Sequence, residues 1–342
     1  MSETTIEIQD LNLTRKDFVP GNEVRWCPGC GDYSILANMQ KTLPVMGVKK
    51  ENYAFISGIG CSSRFPYYMD TYGFHSIHGR APAIASGVKL ANPELTVWVI
   101  TGDGDGFSIG GNHMIHALRR NIDMNIMLFN NRIYGLTKGQ YSPTSLLGAK
   151  TKSSPFGSID RPFNPSAVAL GSNATFIARA LDVDAKGLQE SIKRAQGHKG
   201  ASFIEVYQNC IIFNDGEFEA VENKATRPDN ALFVVHGEPM IFGEENDKGI
   251  IMKDNHPKVV HLGQEWSEKD LLVHDETNQI ITNLLLEMTF DPTNPTPFGV
   301  LRAVDAPSYD EMMIDQIEQV TKVKGEGTLE QLFYGGDVWE VK

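Results

Sequence analysis

The sequence predicts an α/β fold, a mostly parallel sheet flanked by helices, and three observations carry that expectation. Between Trp26 and about Tyr207, short β-branched and apolar runs alternate with segments of helical period. The run at 95–101 leads straight into Gly102-Asp103-Gly104-Asp105, a glycine-rich turn that opens a helix. The run at 124–129 leads into Asn130-Asn131. Such alternation builds βαβ units, and their ligands sit at the carboxyl ends of the strands.

Taken in order, residues 1–24 are polar and without period, which suggests an N-terminal arm. Asp32 is placed to N-cap a helix with apolar positions Ile35, Leu36, Met39 and Leu43. Residues 53–57 read as a strand, and Pro82 stands near the start of a helix at 83–90. After the strand at 95–101 come a helix at 112–120 and the strand at 124–129. Residues 140–163 are rich in Ser, Thr, Pro and Gly; an irregular segment of that length suits an active-site lid. Helix 165–170, strand 174–177, helix 185–195 and strand 202–207 complete a domain assigned to 25–215. In the remaining 216–342, strands within 232–260 turn at 237–239 and 247–249, and 278–288 and 309–323 look helical. That segment carries no motif and is read as packing and subunit interface.

The motif at 102–105 is a diphosphate site around a divalent metal. Asp103 offers a hard anionic oxygen and Asn131 a side-chain carbonyl, which suit Mg²⁺ with few protein ligands. The following helix points its N-terminus at the anion. The tripeptide Gly-Asp-Gly is common in ordinary turns; its place between strand and helix gives it weight. His113 and His116 lie three apart on a helix, but lack a third ligand nearby in sequence and are not read as a metal site.

The chain has 342 residues, 41% hydrophobic, with a net charge of −12. No basic tract is present to meet a phosphate backbone, so nucleic acid is not the expected partner. No apolar run is long enough to span a bilayer, and the acidic start MSETTIEIQD is unlike a secretion leader. A soluble, cytoplasmic protein is expected. Its four cysteines, Cys27, Cys30, Cys61 and Cys210, then point to metal or redox chemistry rather than disulfides. Cys27-Pro28-Gly29-Cys30 puts two thiols on a tight loop before a helix N-terminus, a location that lowers thiol pKa. A packed turn, a redox pair, Zn²⁺ and a [4Fe–4S] cluster all remain open on spacing alone, which tips slightly towards the cluster.

Five motifs then occur in one order: Trp26-Cys27-Pro28-Gly29-Cys30-Gly31-Asp32, Gly58-Ile59-Gly60-Cys61-Ser62-Ser63-Arg64, His78-Gly79-Arg80-Ala81, Gly102-Asp103-Gly104-Asp105, and Tyr134-Gly135-Leu136-Thr137-Lys138-Gly139-Gln140. Together they resemble the β subunit of 2-oxoacid:ferredoxin oxidoreductases, nearest the 2-oxoglutarate branch, over residues 25–215. The resemblance implies thiamine diphosphate, Mg²⁺ and one [4Fe–4S] cluster. It implies Asp103, Asn131 and the Ile133 carbonyl as Mg²⁺ ligands, and Cys27, Cys30, Cys61 and Cys210 as cluster ligands. It places Ile59, Gly60, Cys61, Ser62, His78, Gly104, Asp105, Gly135 and Leu136 around the cofactor. Arg64, where the family often has Lys, stands near the substrate, and Leu136 replaces an Asn of pyruvate-type relatives.

The implied reaction is oxidative decarboxylation of a 2-oxoacid to acyl-CoA and CO₂, with single electrons passing through the cluster to ferredoxin. The thiamine ring supplies the electron sink. The activating glutamate belongs to an α subunit, so no catalytic acid or base is expected on this chain, and the assembly implied is (αβ)₂. Arg64 and Leu136 favour 2-oxoglutarate; pyruvate or a broad range of 2-oxoacids is the alternative substrate preference. A non-oxidative thiamine-dependent decarboxylase would lack the cluster, and a zinc-binding scaffold would lack affinity for thiamine diphosphate.

Overall fold

A computed structural model describes residues 11–263, 265–336, 338, 339 and 341. The strands of its first half are β1 (Tyr53–Ser57), β2 (Tyr72–His75), β3 (Thr96–Gly102), β4 (Met124–Asn130), β5 (Ile133–Tyr134) and β6 (Gln140–Tyr141). Then follow β7 (Phe176–Leu181), β8 (Ala201–Tyr207), β9 (Ala231–Phe233), β10 (Ile241–Phe242), β11 (Lys248–Lys253), β12 (His256–His261) and β13 (Thr296–Ala303). The helices are α1 (Asp32–Thr42), α2 (Ala81–Ala91), α3 (Asp103–Phe107), α4 (Gly111–Arg119), α5 (Pro165–Gly171) and α6 (Ala185–Gly197). After them come the short α7 (Glu219–Glu222) and α8 (Arg227–Asn230), then α9 (Gln279–Met288), α10 (Tyr309–Lys324) and α11 (Leu329–Tyr334).

Eight strands form one sheet in the order β2-β1-β3-β4-β8-β7-β13-β9. All neighbours from β2 to β7 pair in parallel, and only β13 runs antiparallel to β7. β4, β7 and β8 are buried at every position, the burial of a parallel sheet covered on both faces. Alternate residues feed two cores. Val99, Ile126, Leu128 and Phe203 pack under α2, α4, α5 and α9; Phe55, Trp98, Met127 and Ile204 pack under α1 and α6.

Several expectations are refined. Asp32 is the first helical residue and Gly31 the cap, so the Asp32 carboxyl is turned inward and buried rather than capping. The strand expected at 174–177 lies at Phe176–Leu181, because Asn173 (φ +63°) turns the chain first. Arg179 in its middle, fully buried, hid the strand's apolar character. β11 begins at Lys248, where a turn was expected. The expected turn lies slightly earlier, at 243–247 between β10 and β11, while β11 and β12 are joined at Asp254-Asn255, whose φ values of +53° and +63° suit a two-residue hairpin loop. Residues 1–10 lie outside the described residues. Beyond them the N-terminal segment packs, with Phe18 wholly buried edge-on to Tyr53 at 5.9 Å.

β9 and β13 extend the main sheet, β10–β12 form a small antiparallel sheet, and α9 shares a core with α5. α10 buries only Asp310 among its own residues. Among the described residues, no helix is long and apolar enough to cross a membrane.

Phe203 is fully buried in β8 and meets Phe107 edge-on at 6.2 Å. Phe203→Ala should cost about 3–5 kcal/mol through lost burial and the cavity left behind. A denaturant titration checks this; a loss below about 1 kcal/mol would show that the sheet core does not carry the fold.

Candidate cofactor site and cysteine cavity

Parallel strands deliver every following loop to one edge of the sheet. The loop after β1 carries Ile59, Gly60, Cys61 and Ser62; the loop after β2 carries His78. α3 starts at Asp103 directly after β3, and Asn131, Ile133, Gly135 and Leu136 follow β4. All these residues, with Gly104 and Asp105, line one cavity of about 150 Å³. The loop after β8 brings Cys210 to the same edge.

The backbone here approaches closely. A Cβ on Gly104 would overlap the Tyr134 ring, whose hydroxyl donates to the Gly104 carbonyl at 3.1 Å. Gly79 (φ +66°) packs against the Gly110 backbone so tightly that a Cβ would overlap it. Asp105 holds these loops together. Its Oδ1 accepts from Ile59 N at 3.1 Å and Gly79 N at 2.7 Å, and its Oδ2 from Thr101 Oγ1 at 2.7 Å. Three donors occupy this carboxylate, so its work is to tie the loops after β1 and β2 to α3.

Asp103 is 2% exposed, and burial pushes its carboxyl above the usual range. Its Oδ2 accepts from Ser142 Oγ at 2.5 Å and Thr144 Oγ1 at 2.6 Å. Among the described residues, no ion pair reaches it. A buried carboxylate with only neutral partners suits a hard cation. Asn131 Nδ2 donates to Gln208 Oε1 at 2.8 Å, which orients the amide, and Oδ1 accepts from Ile133 N at 3.2 Å. The donor set of one carboxylate, one amide oxygen and one carbonyl fits Mg²⁺.

Cys27, Cys30, Cys61 and Cys210 line a second cavity of about 260 Å³. It shares Cys61, Asn131, Gly135 and Leu136 with the first. A Cβ on Gly135 would lie 3.4 Å from Cys210 Sγ and 3.7 Å from Cys61 Sγ, so two thiols flank this glycine. Trp26 Nε1 donates to the Cys61 carbonyl at 2.7 Å. Gln208 Nε2 donates to Cys30 Sγ at 3.3 Å, so Gln208 touches both Asn131 and Cys30.

The expectation of a lowered thiol pKa is not met at Cys30. Burial pushes Cys30 and Cys210 up and Cys61 up to about 12, and Asp32 adds to the effect on Cys30 and Cys61. Asp32 is itself raised to about 7 by burial and by nearby Asp182. Desolvation here outweighs the helix N-terminus, and thiolates in this cavity need a cationic group to hold them. Among the described residues, no three His, Cys, Asp or Glu converge to hold a single metal ion. Four thiols around a shared cavity fit a cluster, whose separate irons each take one ligand.

Arg64 lines the cysteine cavity, and its Nη1 donates to the Arg25 carbonyl at 3.0 Å. Leu136, 47% exposed, borders both cavities. Sequence reasoning missed Ser142, Thr144, Tyr134 and Gln208. The Ser/Thr richness of 140–163 was the available signal; read as a lid, it supplies the hydroxyls on Asp103.

Residues 58–206 match the family described as thiamine pyrophosphate enzyme, C-terminal TPP binding domain. The chain is 50% identical over 330 residues to the 2-oxoglutarate oxidoreductase subunit KorB of Mycobacterium tuberculosis, covering 95% of this chain and 88% of that one. It is 47% identical over 192 residues to the 2-oxoacid:ferredoxin oxidoreductase subunit beta of Saccharolobus solfataricus, covering 56% of this chain and 63% of that one. A solved structure, 2-oxoglutarate:ferredoxin oxidoreductase from Magnetococcus marinus with 2-oxoglutarate, coenzyme A and succinyl-CoA bound, superposes with a TM-score of 0.76. That match has 32% identity and covers 95% of this chain and 96% of the other. A cofactor edge built around a buried Asp103, with the thiamine pyrophosphate domain laid over it, and likeness along nearly the whole length make this chain a member of the 2-oxoacid:ferredoxin oxidoreductase β-subunit family, of the KorB kind.

Proposed function

We propose that this chain is the cofactor-bearing β subunit of a 2-oxoglutarate:ferredoxin oxidoreductase. The enzyme converts 2-oxoglutarate and coenzyme A to succinyl-CoA and CO₂ and passes the electrons singly to ferredoxin. The observation that supports this most is the shared wall: Cys61, Asn131, Gly135 and Leu136 border both the Asp103 cavity and the four-cysteine cavity. A cofactor held on one side of that wall would have an electron acceptor held on the other.

Thiamine diphosphate supplies the electron sink for decarboxylation when bound. Asp103, Asn131 and the Ile133 carbonyl would hold Mg²⁺ against its diphosphate, and Cys27, Cys30, Cys61 and Cys210 would hold one [4Fe–4S] cluster. Gly104, at the start of α3, leaves room for the Tyr134 ring, which lines the same cavity. Asp105 keeps Ile59 and Gly79 in place around the cofactor. No side chain on this chain is assigned as a catalytic acid or base; an α subunit supplies the activating glutamate and completes an (αβ)₂ assembly. Free thiols throughout suit a reducing compartment, the cytoplasm.

Arg64 offers a fixed cation to a carboxylate, and Leu136 leaves a short substrate without a hydrogen-bonding side chain. In the αβ complex, kcat/KM for 2-oxoglutarate should exceed that for pyruvate, and Arg64→Ala should narrow the gap. A complex that prefers pyruvate would refute the substrate; unchanged discrimination in Arg64→Ala would move the anchoring charge to the partner subunit.

The two sites should separate by mutation. Asp103→Ala should weaken Mg²⁺-dependent thiamine diphosphate binding by more than the roughly 10–100-fold that an outer-shell change costs, with iron content unchanged. Cys210→Ala should lose iron and ferredoxin reduction while cofactor binding persists. Calorimetry and iron analysis read both; full ferredoxin reduction by Cys210→Ala would contradict the cluster assignment.

A further inference from the structure

The turn that carries Asn131 and Ile133 rests on a buried charge pair that the proposed reaction does not itself use. Arg179 in β7 and Glu205 in β8 are each 1% exposed, and Arg179 Nε donates to Glu205 Oε2 at 2.9 Å. Ser166 Oγ donates to the same oxygen at 2.7 Å. The other oxygen, Oε1, accepts from Asn130 Nδ2 at 2.8 Å. That bond fixes the Asn130 amide, since the flipped amide would set oxygen against carboxylate. Asn130 Oδ1 therefore faces the turn, where it accepts from Arg132 N at 3.2 Å and lies 3.0 Å from Thr144 Oγ1, whose one proton goes to Asp103.

The Arg132 contact closes a side-chain turn over Asn131. Arg132 has φ +55°, a left-handed conformation that costs a non-glycine residue energy and needs external support. Its side chain is anchored as well, 4.7 Å over the Phe218 ring and 2.9 Å from Glu217. Thr144 reaches on to Asp103 at 2.6 Å. One connected path thus runs from the core pair to the residues on both sides of the proposed metal site. It also gives the C-terminal segment a part, because Arg179 Nη1 donates to Thr289 Oγ1 at 3.0 Å and to the Pro297 carbonyl at 3.2 Å.

We propose that Glu205, with Arg179 as its buried counter-charge, is a positioning residue that sets the metal-binding turn through Asn130. This rests on the reading of Asp103, Asn131 and Ile133 as the Mg²⁺ site. A buried ion pair broken on one side is left with an uncompensated charge, whereas two apolar replacements of similar volume are tolerated. The test therefore uses paired variants of the αβ complex. Arg179→Met/Glu205→Met removes the charges and the acceptor for Asn130; Arg179→Met/Glu205→Gln removes the charges and keeps an acceptor.

Thiamine diphosphate binding is titrated calorimetrically against Mg²⁺, with the visible absorbance of the iron–sulfur centre as an independent readout. Arg179→Met/Glu205→Met should need about 10–100-fold more Mg²⁺, with absorbance unchanged. Arg179→Met/Glu205→Gln should recover most of that loss, which a merely structural role for the charges would not produce. Asn130→Ala leaves the ion pair intact and should show the same weakened Mg²⁺ dependence, so it decides the matter if the double variants fail to fold. Parent-like Mg²⁺ dependence in Asn130→Ala, or no recovery by the glutamine variant, overturns the inference. Unchanged binding in Asp103→Ala as well would remove the metal site itself, and the inference with it.

Discussion

The parallel direction of neighbouring strands is the constraint on which the site depends. β1, β2, β3, β4 and β8 all end at the same edge of the sheet. Residues as distant in sequence as Cys61, Asp103, Asn131 and Cys210 are therefore neighbours without any long excursion of the chain. An antiparallel order would send alternate loops to the opposite edge and split the constellation. The crossover helices that parallel pairing requires also bury both faces of the sheet.

Charge is handled differently on the two sides of the shared wall. On the Asp103 side, two hydroxyls support a carboxylate that burial disfavours, and a divalent cation would relieve it. On the cysteine side, burial and Asp32 raise the Cys30 and Cys61 thiols, whose ionisation a bound cationic group would favour. On the proposed reading each site would be costly empty and favourable filled, which would link cofactor loading to local stability. Gln208, donating to Cys30 and accepting from Asn131, touches a ligand candidate on each side.

Much of the fold was legible because its signals are local. Apolar runs that end in glycine or asparagine mark strands that end at a site, and Gly102 to Asp105 and Asn130-Asn131 fall where that rule puts them. Long-range features were not legible. Arg179 looks like a surface residue until Glu205 stands beside it in the neighbouring strand. Phe18 is a single aromatic in a polar stretch, and only the folded chain buries it against Tyr53. Ser142 and Thr144 sit in a stretch of turn residues, and nothing in their spacing names Asp103 as their acceptor. The thiol expectation failed at Cys30 for a similar reason: a helix N-terminus is visible in sequence, while the degree of burial is not.

The central claim is that a thiamine site and an iron–sulfur site exchange electrons across the wall formed by Cys61, Asn131, Gly135 and Leu136. The most direct measurement adds 2-oxoglutarate to the anaerobic αβ complex without ferredoxin and follows its visible absorbance and electron paramagnetic resonance. The account predicts a brown complex that partly bleaches and gains the signal of a reduced [4Fe–4S] cluster. A colourless complex, or one that releases CO₂ while its cluster stays oxidised, would contradict it.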